Sequence, residues 1–346
     1  MSSHPDSFLP SAADRAAAAR DRAAWRLAGV MDDLFLPEEA RLDERTRLAL
    51  AARLHATISG LETELRRQAA RLLAARVGPE GAETLLRDGS GAAERLTAAG
   101  LLRDEALIGE LVAQVRFALL AQALPHAAGS EESSVLVRLA GVPDRVVAQA
   151  AQALLVADSR EAVLLPADLQ HKLVWWVAAA IRPMAADADA DRAIAEAATR
   201  SLAAHDEGER AEAVAMRLAA AIDARPDELG PLLLEALGDR RLSLFTGVLA
   251  RAVSLDFEQA RDLVLEQDGE RLWLALRAVQ LDRPSIARLA LTLADADPRR
   301  DIEAFADQLD RIAAVEPAEA RRALAPETLE RDFRAAIAAL ARSGRR

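Results

Sequence analysis

Residues 50–72 read LAARLHATISGLETELRRQAARL. Within this stretch Leu50, Leu54, Ile58, Leu61, Leu65 and Leu72 follow one another at spacings of three, four or seven. An α-helix returns a side chain to the same face every third or fourth position, whereas a half-buried strand would alternate. The stretch therefore predicts a helix whose apolar stripe faces a core, with Glu62 and Arg66 as an i,i+4 pair on its solvent side. The same period recurs in Leu107, Leu111 and Val115 with Ile108, Val112 and Leu119. It recurs again in Leu329, Phe333, Ile337 and Leu340, which predict a last helix facing the core. With few competing strand patterns, the fold class is all-α.

Proline punctuates the chain at Pro143-Asp144, Pro226-Asp227, Pro298 after Asp297, and Pro326-Glu327, with Pro79-Glu80 and Pro166 near Asp168 similar. Proline lacks the amide proton that a first helical turn leaves unpaired, and a neighbouring carboxylate complements the positive end of the helix. Restarts this frequent imply helices of about ten to twenty residues joined by short turns. The predicted architecture is stacked helical hairpins in a solenoid-like or irregular helical-repeat array. A direct repeat agrees with it: residues 251–256 (RAVSLD) return as residues 277–282 (RAVQLD), with Leu263 and Leu265 answered by Leu289 and Leu291. Each copy reads as helix, short turn opened by Asp, helix, so Leu263 and Leu289 are expected at equivalent buried positions. Polar composition divides the chain into a flexible N-terminus (1–12), an N-terminal helical lobe (13–183), a polar connector (184–210) and a C-terminal helical-repeat lobe (211–346).

Apolar residues at 51% of 346 can build a substantial core. The longest strongly apolar run, Leu173 to Ile181, is shorter than the roughly 20 residues a spanning helix requires, so no membrane partner is expected. Residues 1–10 have neither a basic start nor an apolar stretch, and the expected location is the cytoplasm. There is no cysteine, which excludes disulfides, thiolate metal sites and thiol nucleophiles. Lys172 is the sole lysine among 44 basic residues, and with the abundant alanine this suggests a GC-rich bacterial genome. The net charge of -11 repels nucleic-acid phosphates over most of the surface. Arginine pairs at 240–241, 299–300 and 321–322, and the tail with Arg342, Arg345 and Arg346, can complement helix C-termini. No aromatic interleaving accompanies them, and nucleic acid is not an expected partner.

The stretch Trp25 to Ala75 carries Arg26-Leu27, then Asp32-Asp33-Leu34-Phe35-Leu36, a helix start at Leu42-Asp43-Glu44-Arg45, and Glu64-Leu65-Arg66 before Ala69. With Leu173-Val174-Trp175-Trp176-Val177-Ala178-Ala179 and the Arg-Ala-Val segments, it resembles the bacterial family catalogued as domain of unknown function 2336. The resemblance implies a stack of helical, HEAT-like hairpins and carries over no functional residue.

Candidate chemistry is sparse. His205-Asp206 matches the central pair of the all-helical, metal-dependent HD phosphohydrolases, with His171 and Asp239 or Asp256 as outer ligands. The pair lies in a hydrophilic run, Ala204 to Glu209, where a solvated loop fits better than a supported metal centre. Asp187, Asp189 and Asp191 have calcium-loop spacing, but Arg192 stands where the turn needs Gly and Ala198 replaces the bidentate acid. His4, His55 and His126 have no partner at ligand spacing. Gly230-Pro231 is a turn signal, and no phosphate-binding loop or nucleophile motif occurs. No metal and no cofactor is expected. Trp175 and Trp176 lie about 100° apart on a helix, so one ring should approach its boundary, and Lys172 with Trp176 forms a possible partner surface. The sequence thus leads to a non-enzymatic adaptor or regulatory protein that binds another protein. A metal-dependent hydrolase centred on His205 and Asp206 is the alternative.

Overall fold

The computed structural model describes residues 41–78, 83, 85–86, 91–125, 134–160, 164–182, 187–330, 333–334, 336–337 and 340. Residues 1–12, His4, the Trp25 to Leu36 motif, Pro79-Glu80, His126 and the arginine tail lie outside them. The described helices are α1 (Glu44–Val77), α2 (Ala92–Ala98), α3 (Glu105–Ala123), α4 (Val135–Ala140), α5 (Arg145–Asp158), α6 (Ala167–Ala180), α7 (Ala188–Ala204) and α8 (Ala211–Ile222). They continue with α9 (Pro226–Gly238), α10 (Leu242–Val253), α11 (Phe257–Leu265), α12 (Glu270–Ala278), α13 (Arg283–Ala296), α14 (Ile302–Ala314) and α15 (Pro317–Leu324). No strand occurs among the described residues, and the all-α class holds. The chain divides into two compact units, 1–48 and 49–346. Within the first, the described residues open α1, where the Thr46 amide donates to Asp43 Oδ1 at 2.8 Å.

Aspartate sets many of the helix starts. Asp104, Asp144, Asp187, Asp256, Asp282 and Asp301 each accept a backbone N–H in the first turn of α3, α5, α7, α11, α13 and α14. These carboxylates satisfy amides that no helical carbonyl can reach and complement the positive helix end. Much of the acidic excess therefore serves the fold. Proline behaves as expected at Pro226, in the first turn of α9. Pro298 instead lies in the turn before α14, whose start is capped by Asp301.

Two apolar clusters form the interior. One joins α1, α2, the first half of α3, α6 and α7; the other joins the end of α3 with α4, α5 and α8 to α15. The chain enters the second cluster at Leu120, returns to the first at Leu165, and leaves it again after α7. The stretch 184–210, expected as a polar connector, contains α7, which buries Ala190, Ala193, Ile194, Ala197 and Ala198. Its buried face is made of small residues, so composition alone read it as polar.

Helix α1 also departs in detail. Ile58, Leu61, Leu65, Ala69 and Leu73 form its buried stripe, while Leu50, Leu54 and Leu72 are only partly covered. Glu62 and Arg66 do pair, with Arg66 Nε donating to Glu62 Oε1 at 3.0 Å, but both are buried rather than solvated. Arg66 Nη1 also donates to the Leu85 carbonyl (2.9 Å), and Glu62 accepts the amides of Gly91 and Ala92 (3.3 Å each). Contacts from beyond the helix cover the face that local spacing assigned to water.

The two copies of the direct repeat adopt one turn. Ser254 and Gln280 are left-handed at φ 59° and 66°, and the amides of Leu255 and Leu281 reach back to the carbonyls of Ala250 and Leu276 (2.9 and 3.1 Å). This is a Schellman motif with a buried leucine after the turn, followed at once by a capping aspartate. Arg240 (φ 59°), with the Arg241 amide bonded to the Ala236 carbonyl at 2.8 Å, repeats the turn after α9. Leu263 and Leu289 are both buried, but Leu291 is exposed where Leu265 is half-buried, so the correspondence fails at its second pair.

Helices α8 and α10 approach closely at Gly247, where a Cβ would stand 3.0 Å from the Ala215 carbonyl carbon and oxygen. Gly247→Ala is expected to destabilise the protein by about 1 to 3 kcal/mol, because backbone rather than a flexible side chain must yield. A urea denaturation midpoint equal to or above that of the parent would contradict this packing. Helix α3, 19 residues long, is the one described helix long and apolar enough to cross a membrane, which the run-length reading had not found. Within this fold it carries Glu110 in a buried ion pair with Arg261 of α11. Lastly, Leu329, Phe333, Ile337 and Leu340, expected to form a last helix facing the core, are exposed, and Leu329 stands in extended backbone before the helical residues 333, 337 and 340.

Candidate functional site

The residues offered for metal chemistry are engaged separately. His205 ends α7, and Asp206 Oδ1 accepts the Gly208 amide at 2.8 Å in the short 3-10 turn Glu207–Glu209. Asp239 Oδ2 accepts the Val135 amide at 2.6 Å. Asp256 accepts from the Gln259 amide at 2.7 Å; burial raises its carboxyl above the ordinary value, against that hydrogen bond. His171 Nε2 faces the indole N–H of Trp175 at 3.2 Å. Among the described residues, no group of three or more His, Asp or Glu side chains is placed to hold a metal ion. The calcium-like acids are likewise separate: Asp187 caps α7, and Asp191 receives both Nε and Nη2 of Arg182 at 2.6 and 2.7 Å.

Helix α6 presents Asp168, His171, Lys172 and Trp175 outward. Lys172 Nζ lies 3.1 Å from Asp104 Oδ2. The Leu107 amide chiefly, together with this lysine, holds the Asp104 carboxyl below its ordinary value. Of the two adjacent rings, Trp175 is the exposed one, and Trp176 packs against the first cluster beside α6. Of the expected pair Lys172 and Trp176, Lys172 is exposed and Trp176 is partly buried, and the exposed ring beside Lys172 is that of Trp175. A 100° step fixes that the rings diverge but not which one the neighbouring helices cover.

The most elaborate polar constellation centres on Glu110, in α3. Arg261 of α11 donates to both its oxygens at 3.1 and 2.7 Å, and Gln114 Nε2 donates to Oε1 at 2.7 Å. Arg210 lies 3.8 Å from Glu110 and 3.1 Å from Glu258. All of Glu110, Gln114, Arg210 and Arg261 are buried. Burial would raise the Glu110 carboxyl, but the Arg261 hydrogen bonds and charge outweigh it and hold it below its ordinary value. Glu212 moves oppositely, raised by burial against the pull of Arg210.

No family model, curated protein or solved structure matches this chain.

Beside that network opens a pocket of about 350 Å³ between the ends of α3 and α5 and the starts of α8, α10 and α11. Its apolar wall includes Phe117 and Phe257, packed edge to face at 5.9 Å. Its polar wall includes Arg53, Arg160, Arg210, Arg240, Arg241 and Arg261 against Asp158, Glu209 and Glu212. Arg160 is paired with Glu209 at 3.0 Å, and Arg240 donates to the Gln122 carbonyl. Sequence reading missed this site because its arginines come from distant positions and match no local motif.

Proposed function

We propose that the chain is a non-enzymatic, cytoplasmic helical-repeat protein, an adaptor or regulator, that binds another protein. The observation that carries this reading is the C-terminal apolar stripe. Phe333, Ile337 and Leu340, all helical, stand 57, 45 and 72% exposed at spacings of four and three, and Leu329, extended just before that helix, is 38% exposed. Large apolar side chains aligned on one helical face are what a hydrophobic groove on a partner recognises, and leaving them in water is unfavourable. The outward face of α6, with Lys172 and Trp175, is a second place for such contact, since exposed Trp often anchors interfaces. The similarity to the helical family of unknown function belongs to the same reading. The hydrolase alternative at His205 and Asp206 draws no support from the capping roles both residues fill.

Affinity capture tests it. The parent chain should recover one recurrent partner, and Phe333→Asp should reduce that recovery at least about tenfold, the effect of losing a central apolar anchor. Its melting temperature should not change, because the side chain is already exposed. Equal recovery by both chains would set the reading aside.

A further inference from the structure

The pocket beside Glu110 carries positive character that the fold does not neutralise. Arg53 and Arg241 line it and reach no carboxylate within 4 Å among the described residues, unlike Arg160, Arg210 and Arg261. Two helices begin at its rim, α8 after Arg210 and α10 after Arg241, each 12 residues long and neither capped by a side chain. First-turn amides other than that of Glu212, which its own carboxylate takes, add partial positive charge at this rim. Of the three acids in the wall, Glu209 is already paired with Arg160, and Ser243 Oγ donates to Asp158 at 3.0 Å. Glu212 Oε2 lies 3.5 Å from Arg210 Nε.

A second, independent feature is an unpartnered buried acceptor. Gln114 is 8% exposed and lines the pocket, and its Oε1 has no hydrogen-bond partner. The orientation of that amide is fixed chemically: its NH2 must face the ionised Glu110, which can only accept, leaving the carbonyl oxygen turned away. A buried acceptor without a donor is unfavourable, and a donor group on a bound molecule would satisfy it. The rings of Phe117 and Phe257 line the same pocket and offer an apolar wall to a bound molecule. The volume suits a small organic molecule, within the usual range of ligand pockets of roughly 300 to 1,000 Å³.

We propose that this pocket binds a small organic oxyanion, a phosphate ester or carboxylate. Its charged head is held by Arg53, Arg241 and the starts of α8 and α10, its apolar body lies against Phe117 and Phe257, and a donor on it bonds to Gln114 Oε1. The site is distinct from the exposed C-terminal stripe and does not depend on the protein-binding reading.

Calorimetric titration of the full chain with 4-hydroxyphenyl phosphate, 4-hydroxybenzoate, 4-hydroxybenzyl alcohol and inorganic phosphate tests the proposal at constant ionic strength, the 4-hydroxyl supplying the donor for Gln114 Oε1. One of the two aromatic anions should bind saturably at one site. Tighter 4-hydroxyphenyl phosphate assigns a phosphate ester, and tighter 4-hydroxybenzoate assigns a carboxylate. 4-Hydroxybenzyl alcohol, which has the body and the donor without the charge, and inorganic phosphate, which has the charge without the body, should each bind at least about tenfold more weakly. Arg241→Gln should weaken the preferred anion by a similar factor with the unliganded melting temperature unchanged, and Arg53→Gln provides the same readout should the first variant not fold. Absence of saturable binding by both aromatic anions, or binding that survives both arginine substitutions, overturns the proposal, as does inorganic phosphate binding as tightly as 4-hydroxyphenyl phosphate.

Discussion

Glu110→Ala is expected to destabilise the protein by about 3 to 5 kcal/mol, the usual cost of removing one partner from a buried ion pair. Arg261 is 2% exposed and both its terminal nitrogens donate to Glu110, so the substitution strands its charge in the interior. Replacing both residues by methionine should recover most of the loss, because apolar side chains of similar volume remove the stranded charge. The pair also imposes a pH dependence. The Glu110 carboxyl lies below its ordinary value of 4.5 in the folded chain, so the unfolded chain binds its proton first as acid is added. Its contribution is present in full above that value and is lost as pH falls through the lower folded value. The Glu110→Ala chain should accordingly lose less stability over the same acid range. Chemical denaturation at a series of pH values reads both effects, and a neutral-pH cost below about 1 kcal/mol would mean that these charges reach water.

Leu263→Ala and Leu289→Ala should each cost about 2 to 5 kcal/mol, as fully buried leucines truncated in a packed helical interior do. They are 1% and 0% exposed. Leu291→Ala, two residues beyond the second of them, should change stability by less than about 0.5 kcal/mol, because its side chain is already in water. Denaturant midpoints for the three variants check the set. A small effect at either buried leucine would show that the repeated segments do not hold equivalent places in the core.

The helical class was legible because periodicity is local, and so were the turns of the repeat. The Leu255-Asp256 and Leu281-Asp282 pairs each encode a buried residue after a helix end and a cap for the next start. The left-handed residues before them were not legible, since Ser254, Gln280 and Arg240 are not glycine and give no turn signal. Their conformation is held by the reaching-back amides and the buried leucines that follow. Glu62 and Arg66 show the limit of local spacing. It gave the pair, but its burial depends on Leu85, Gly91 and Ala92. The Glu110–Arg261 pair spans 151 residues and has no pattern in the chain at all. For Phe333, Ile337 and Leu340 the helical spacing was right and the destination was not, while Leu329 falls before the helix. An amphipathic helix has the same sequence whether its apolar face meets this chain's own core or another protein.

That stripe bears the central functional claim, and a photo-cross-linker placed on it is the most direct measurement. Benzoylphenylalanine introduced in place of Phe333 in cells, with the same residue in place of Trp175 for comparison, captures whatever protein lies against each position. The prediction is one recurrent covalent adduct from position 333, competed away by excess parent chain. Irradiation that yields only the uncross-linked protein at position 333 would contradict it.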